Sequence, residues 1–191
     1  GVNIFGRTRN PLLHKPNPPG VHGARRRKKS DYGVQLEEKQ KLKAVYGMIS
    51  EKQLVNYFKK ASEKEGNTAN LLAEMLECRL DVVVYRLKFA STIFAAQQLV
   101  SHGHILVNGK KVDRRSFFVR PGMTIAIKEK SRSIKAIQEA LDNPSRSMPE
   151  YYTMDREAFS GQLLASPLPE QMPWPIELNL HDICDFLAHT T

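Results

Sequence analysis

The sequence has only two cysteines, Cys78 and Cys184, more than a hundred residues apart and without a CxxC partner. That excludes a disulfide scaffold, leaves no thiolate pair for a zinc finger, and favours a reducing compartment. It lacks an uncharged apolar run of membrane length. The longest apolar stretch, Val82 to Val100, is interrupted by Arg86 and Lys88, so it fails as a span of roughly 20 residues. It lacks GxSxG, phosphate-loop and GxGxxG patterns, the signatures of common hydrolase and nucleotide sites. Histidines are scattered except His102 and His104, short of the three or four converging ligands a metal needs. No metal, cofactor, catalytic residue or small-molecule substrate is therefore expected. At 191 residues the chain holds one to two domains, and an apolar share of 41% is enough for most of it to bury a core.

Acidic residues are scarce at the front. Residues 1–60 carry 14 basic and 4 acidic side chains, a net +10. Residues 61–140 carry a net +5 and residues 141–191 a net −6. A basic front and an acidic tail imply a polyanionic partner for the first two-thirds only, with nucleic acid first and an anionic membrane surface second.

Residues 1–33 do not read as a packed element. Pro11, Pro16, Pro18 and Pro19 forbid a helix, and the run Arg25, Arg26, Arg27, Lys28 and Lys29 repels itself. The segment is either a solvated tail or an extended arm that orders on RNA, where phosphates remove the repulsion. From Gln35 to Cys78 apolar residues recur at three- and four-residue spacing, predicting three short helices that need a partner element. Ala95 to Val100 predicts a helix ending at Gly103, and Asn108-Gly109 predicts a tight hairpin between short strands. Pro121-Gly122 fits a type II turn before an alternating strand at 123–127. A helix is predicted over 131–141, ending at Asn143-Pro144, strands at 151–154 and 162–165, and a closing amphipathic helix over 179–188. Four prolines around Trp174 make a stiff connector. The class is α+β, with helices packed on a short antiparallel sheet.

The cations that carry chemistry gather in two places. One is the front run. The other surrounds the hairpin: Lys110, Lys111, Arg114, Arg115 and Arg120, with His102, Asn108 and Ser116 as neutral donors suited to phosphate, ribose or base edges. Basic hairpin tips also occur merely for solubility, and Lys39 and Lys43 on the first helix read first as wet surface. Asp81 reads as an ion pair or helix cap before a catalytic acid, and Cys78 as a small core residue. The absence of a helix-turn-helix tips the reading towards shape-read RNA.

In order and spacing, Arg79-Leu80-Asp81, Tyr85-Arg86, Gln98-Leu99-Val100, His102-Gly103-His104-Ile105, Val107-Asn108-Gly109 and Pro121-Gly122 resemble the S-four RNA-binding motif. The flanks, including His22-Gly23-Ala24-Arg25, Ser30 to Leu36, Glu38 to Lys41 and Gly66-Asn67, resemble the bacterial small-subunit ribosomal protein S-four family over nearly the whole chain. The resemblance implies a non-enzymatic, cytoplasmic binder of 16S ribosomal RNA in the 5′ domain that nucleates subunit assembly and contributes to translational accuracy. It implies contacts with neighbouring ribosomal proteins, S-five among them, and with messenger RNA where it enters. It implies an arm over 1–33, a helical domain over 34–78 completed by 176–191, and the S-four module with its extension over 79–175. Expected RNA contacts are Arg7, Arg9, His22, Arg25, Arg26, Arg27, Lys28, Lys29, Tyr32, Lys39, Lys43, Arg86, His102, Asn108, Lys110, Lys111, Arg114, Arg115 and Ser116. Three departures stand out: no zinc cysteines in the arm, Ile93 and Gln97 where the family usually has arginines, and a further basic stretch expected before Gly1. The rival readings are an RNA-modifying enzyme or heat-shock-type RNA binder using the same module, and a protein-only adaptor or membrane-surface binder.

Overall fold

The computed structural model describes residues 3–5, 10–25, 28–143 and 147–190. The chain divides into two compact units, Gly1–Ala69 with Pro173–Thr191 and Asn70–Met172. Seven α-helices and a five-stranded antiparallel sheet among the described residues bear out the α+β class.

In the first unit, the Pro-rich front holds a 3-10 turn at Pro11–Leu13 and backbone turns in which Gly23 N–H reaches Gly20 O and Arg25 N–H reaches His22 O. The arm turns over 20–25, at the glycines Gly20 and Gly23. Ser30 then caps helix α1 (Asp31–Val45) by accepting from Gly33 N–H, four residues before the expected start. The apolar pattern opens only at Leu36, so the cap and not the periodicity sets this boundary. Helix α2 (Glu51–Ser62) is capped by Ser50, with Glu51 in its first turn and Lys59 and Lys60 in its last, each sign complementing the helix dipole. The closing helix α7 (Leu180–Thr190) packs on α1 and touches α2, burying Ile183, Phe186 and Leu187, while α1 buries Leu42 and α2 buries Leu54. It supplies the partner that the early helices lacked. Trp174 in the proline connector donates its indole N–H to Tyr46 Oη at 3.0 Å, fastening the returning chain.

The second unit begins inside helix α3 (Thr68–Glu77), earlier than the expected break at residue 78. The reason lies at the end of α3. Glu77 is fully buried and accepts from Arg86 and Tyr151, and Cys78 belongs to the apolar core of this unit. Helices α4 (Leu80–Arg86) and α5 (Ile93–Ser101) pack together and share a core with the sheet. Its strands are β1 (Ile105–Val107), β2 (Lys110–Lys111), β3 (Thr124–Ile127), β4 (Tyr152–Asp155) and β5 (Ser160–Leu163), ordered β2-β1-β3-β5-β4. Ile105 pairs with Ile127 and Val107 with Ile125, so one face buries four β-branched side chains. Helix α6 (Lys135–Asp142) starts four residues later than expected, because residues 129–131 form a 3-10 turn whose buried Ser131 bonds His104 Nδ1. Strand β5 lies two residues earlier than expected, since its register against β3 sets Gln162 opposite Thr124.

Candidate nucleic-acid interface

The hairpin is built as its sequence dictates. Asn108 and Gly109 both take positive φ, +48° and +77°, the pair a two-residue type I′ turn needs. Asn108 Oδ1 accepts from Thr124 N–H at 2.9 Å, so this side-chain oxygen ties the turn to β3 instead of facing a ligand. Gly103 ends α5 at φ +72°, and a Cβ there would lie 2.2 Å from Lys111 Cε. The Lys111 stem therefore lies across that glycine, and its ammonium is 3.7 Å from Asp113. His102 caps α5 and is exposed, its ring tilted against His104 with centroids 6.1 Å apart.

Around this hairpin stand Lys110, Arg114 and Arg120, exposed and outside every ion pair among the described residues. Ser116 is half-buried. The segment holding Arg114 and Arg115 is clasped to the start of α4: Leu80 N–H reaches Phe117 O at 2.9 Å and Asp81 N–H reaches Arg115 O at 3.3 Å. Two orphan donors of the helix are thereby satisfied by the loop that carries the cations. Buried Asp81 also accepts from Arg79 Nε and Nη2, from Val82 N–H and from Gln97 Nε2 at 3.3 Å. Asp81 is thus the ion-paired residue its sequence context indicated. Cys78 beside it is a buried core residue whose thiol burial pushes up to about 12, with the nearby Glu74 and Glu77 adding to the rise.

In the first unit, His22, Arg25 and Lys28 are exposed. Lys29 donates to Glu37 at 2.5 Å, an exposed pair whose hydrogen bond holds the Glu37 carboxyl below its ordinary value. Tyr32 is exposed and packs its ring against Phe186, with centroids 5.1 Å apart. Lys39 and Lys43 correct their expectation. Both converge on Glu51, at 2.6 and 2.7 Å, and the Lys39 ammonium is buried over the Phe186 ring. These two hold α1 to α2, and a phosphate would have to displace a bonded carboxylate to reach Lys39.

Burial raises the Glu51 carboxyl, but the hydrogen bonds from Lys39 and Lys43 outweigh it and leave the group below its ordinary 4.5. A carboxylate with a depressed folded pKa stabilises above the unfolded value, and that gain is lost as pH falls through the folded one. Glu51→Gln is expected to lower stability by about 1 kcal/mol at neutral pH, since Glu51 is half exposed and screened. The gap from the wild type should close as denaturant titrations are taken below pH 4.5. A gap that persists at low pH would show that packing, and not charge, is lost.

Arg86 is the clearest correction. Its guanidinium is buried and donates from Nε and Nη2 to the two oxygens of Glu77, at 2.5 and 3.2 Å. It is a core ion pair and offers nothing to a phosphate. Arg7, Arg9, Arg26 and Arg27 lie outside the described residues. Lys52, Lys59 and Lys60 of α2 are further exposed cations that charge alone does not single out, and their seven- and eight-residue spacing puts them on one side of that helix. Gln97, in sequence only a missing arginine, lies between Asp81 and Arg115.

Residues 1–77 match the family model described as Ribosomal protein S4/S9 N-terminal domain, and residues 78–125 match the one described as S4 domain. The chain is 79% identical to the Small ribosomal subunit protein uS4 of Protochlamydia amoebophila over 191 residues, 100% of this chain and 93% of the relative. It is 62% identical over 196 residues to the protein of that name from Chlamydia muridarum, again 100% of this chain and 93% of the relative. The corresponding protein of Chlamydia trachomatis serovar L2 is 61% identical over 196 residues, with the same coverage.

Proposed function

The chain belongs to the small-subunit ribosomal protein uS4 family, and from that premise we propose that it is a structural constituent of the small ribosomal subunit that binds 16S ribosomal RNA. It acts by binding and not by turnover, in the cytoplasm, on the ribosome. The observation that carries the reading at the level of geometry is the exposed rim of Lys110, Arg114 and Arg120 around the Asn108-Gly109 turn, fixed to a packed α4–α5 scaffold. Cations on short strands and turns reach phosphates without disturbing a core, and a rigid platform keeps their spacing for one RNA surface.

The contacting set is proposed as His22, Arg25, Lys28 and Lys29 in the first unit and His102, Lys110, Lys111, Arg114, Arg115, Ser116 and the rim cation Arg120 in the second, with Arg7, Arg9, Arg26 and Arg27 added from the sequence. Lys29 and Lys111 each have an exposed carboxylate partner, a pairing worth at most about 1 kcal/mol that a phosphate can displace. Binding in the 5′ domain, nucleation of assembly and translational accuracy rest on family resemblance, as does contact with messenger RNA. Contact with a basic neighbouring protein, S-five among the candidates, is supported by the net −6 of residues 141–191.

Sedimentation of a lysate containing the tagged chain tests the reading. The chain is expected with small subunits, and ribonuclease should release it. Absence from that fraction, or co-purification with proteins that survives ribonuclease, would overturn it in favour of a protein-only adaptor.

A further inference from the structure

We propose that Gln97 is a positioning residue for RNA binding: its side-chain amide carries the rigidity of the buried Arg79–Asp81 pair out to the guanidinium of Arg115. Arg79 and Asp81 are both buried and joined by two hydrogen bonds, from Nε to Oδ1 at 3.1 Å and from Nη2 to Oδ2 at 2.9 Å. Gln97 Nε2 donates to the same Asp81 Oδ2 at 3.3 Å, and Gln97 Oε1 accepts from Arg115 Nη1 at 3.4 Å. Arg115 is exposed, so the series runs from a fully buried carboxylate to a cation in solvent.

The chemistry of the series selects an amide. The group at this place must donate on one side, to a carboxylate, and accept on the other, from a guanidinium. A glutamate would set a second carboxylate against Asp81 and neutralise Arg115. An arginine would satisfy Asp81 and repel Arg115. Asparagine is one methylene short of bridging the two. Helix α5 carries no charged residue from Ile93 to Ser101, so the guanidinium laid on Gln97 gives this helix face its cation. The main chain reinforces the placement, since Arg115 O accepts from Asp81 N–H at 3.3 Å and Asp81 thereby holds Arg115 at both ends.

An arginine left free on a loop loses rotamer freedom when it meets a phosphate. A guanidinium already held by its backbone and by Gln97 has less to lose. Gln97 therefore acts on affinity through Arg115 and makes no contact of its own.

The inference rests on the ribosomal-RNA reading, and the test separates the two. Full-length wild type, Gln97→Ala, the near-isosteric Gln97→Met, Arg115→Ala and the double variant Gln97→Ala/Arg115→Ala are titrated with protein-free 16S ribosomal RNA at several salt concentrations. Melting is followed in parallel, below which all titrations are run. Arg115→Ala should reduce the salt slope by about 0.7–0.9. Gln97→Ala and Gln97→Met should each weaken binding about threefold to tenfold, and the double variant should bind no more weakly than Arg115→Ala. Gln97 variants that bind like the wild type, or losses that multiply in the double variant, overturn the positioning role. A wild type with no salt-dependent RNA binding overturns the ribosomal-RNA reading itself, and an Arg115→Ala slope equal to that of the wild type overturns Arg115 as a phosphate ligand, and Gln97 with it.

Discussion

Arg86→Ala is expected to destabilise the unit spanning 70–172 by about 3–5 kcal/mol while leaving the salt slope of RNA binding unchanged. Arg86 and Glu77 are both buried, and removing the guanidinium takes the opposite charge and two hydrogen bonds from a carboxylate in the core, beside which the Tyr151 hydroxyl stands at 3.2 Å. Removing one partner of a buried ion pair is among the most costly single changes a core can suffer. The environment is apolar enough to push the Tyr151 hydroxyl well above its ordinary value, burial first and the Glu77 charge second. Denaturant unfolding measures the loss, and Tyr152→Phe is the internal control. The Tyr152 hydroxyl is buried and finds no hydrogen-bond partner among the described residues, so its removal should leave stability unchanged or slightly raised. Glu77→Leu with Arg86→Met should recover much of the loss, because neither partner is then left alone. A stable Arg86→Ala protein with a shallower salt slope would instead restore Arg86 as a phosphate ligand.

The same residue shows where reading the sequence stops. Arg86 has the appearance of a surface cation because its partner is nine residues away and belongs to another helix. Helical spacing reports neighbours at three and four positions and nothing beyond. Lys39 and Lys43 misled in the same way, since Glu51, the carboxylate that fixes them, opens the next helix. Helix α4 escaped periodicity altogether. Six of its seven residues are buried, so there is no polar face to set a phase. The features decided by local chemistry were legible: the Asn108-Gly109 turn, the helix stop at Gly103, and the turn at Pro121-Gly122, where Met123 N–H returns to Arg120 O at 3.1 Å. The closing helix was legible both as an amphipathic stripe and as the answer to an unburied face elsewhere. Boundaries set by pairing were not. The register of β5 depends on β3, some 35 residues earlier, and the end of the first unit depends on where Glu77 finds its partners. At the interface, the exposed cations of the hairpin follow from charge and turn chemistry, whereas Gln97 shows in the sequence only as a missing arginine, because its two neighbours, Asp81 and Arg115, are brought to it only by folding.

Alanine at Arg25, Arg26, Arg27, Lys28 and Lys29 together is expected to give the largest loss of RNA affinity. Five phosphate contacts account for a salt slope of roughly 3.5–4.5. Counterion release on that scale corresponds to about a thousandfold in affinity at physiological ionic strength. Folding should be spared, because Arg25, Lys28 and Lys29 are exposed and contribute no packed side chain. The Lys29–Glu37 pair is the only ion pair involving these three among the described residues, and as a half-exposed surface contact it is worth at most about 1 kcal/mol. That pair also explains why Lys29 still counts towards the slope. A phosphate replaces Glu37 as the anion without burying either charge, and the freed carboxylate simply returns to water. Glu37→Gln should consequently strengthen binding a few-fold, since it removes a competitor for Lys29 and one negative charge from the approach. Filter-binding titrations over a range of salt distinguish the outcomes. A parallel loss of slope and affinity identifies direct phosphate contacts. A loss of affinity at constant slope would mean that the run orders the arm without touching the backbone, and an unchanged Kd would remove the arm from the interface and leave the hairpin rim to hold the RNA alone.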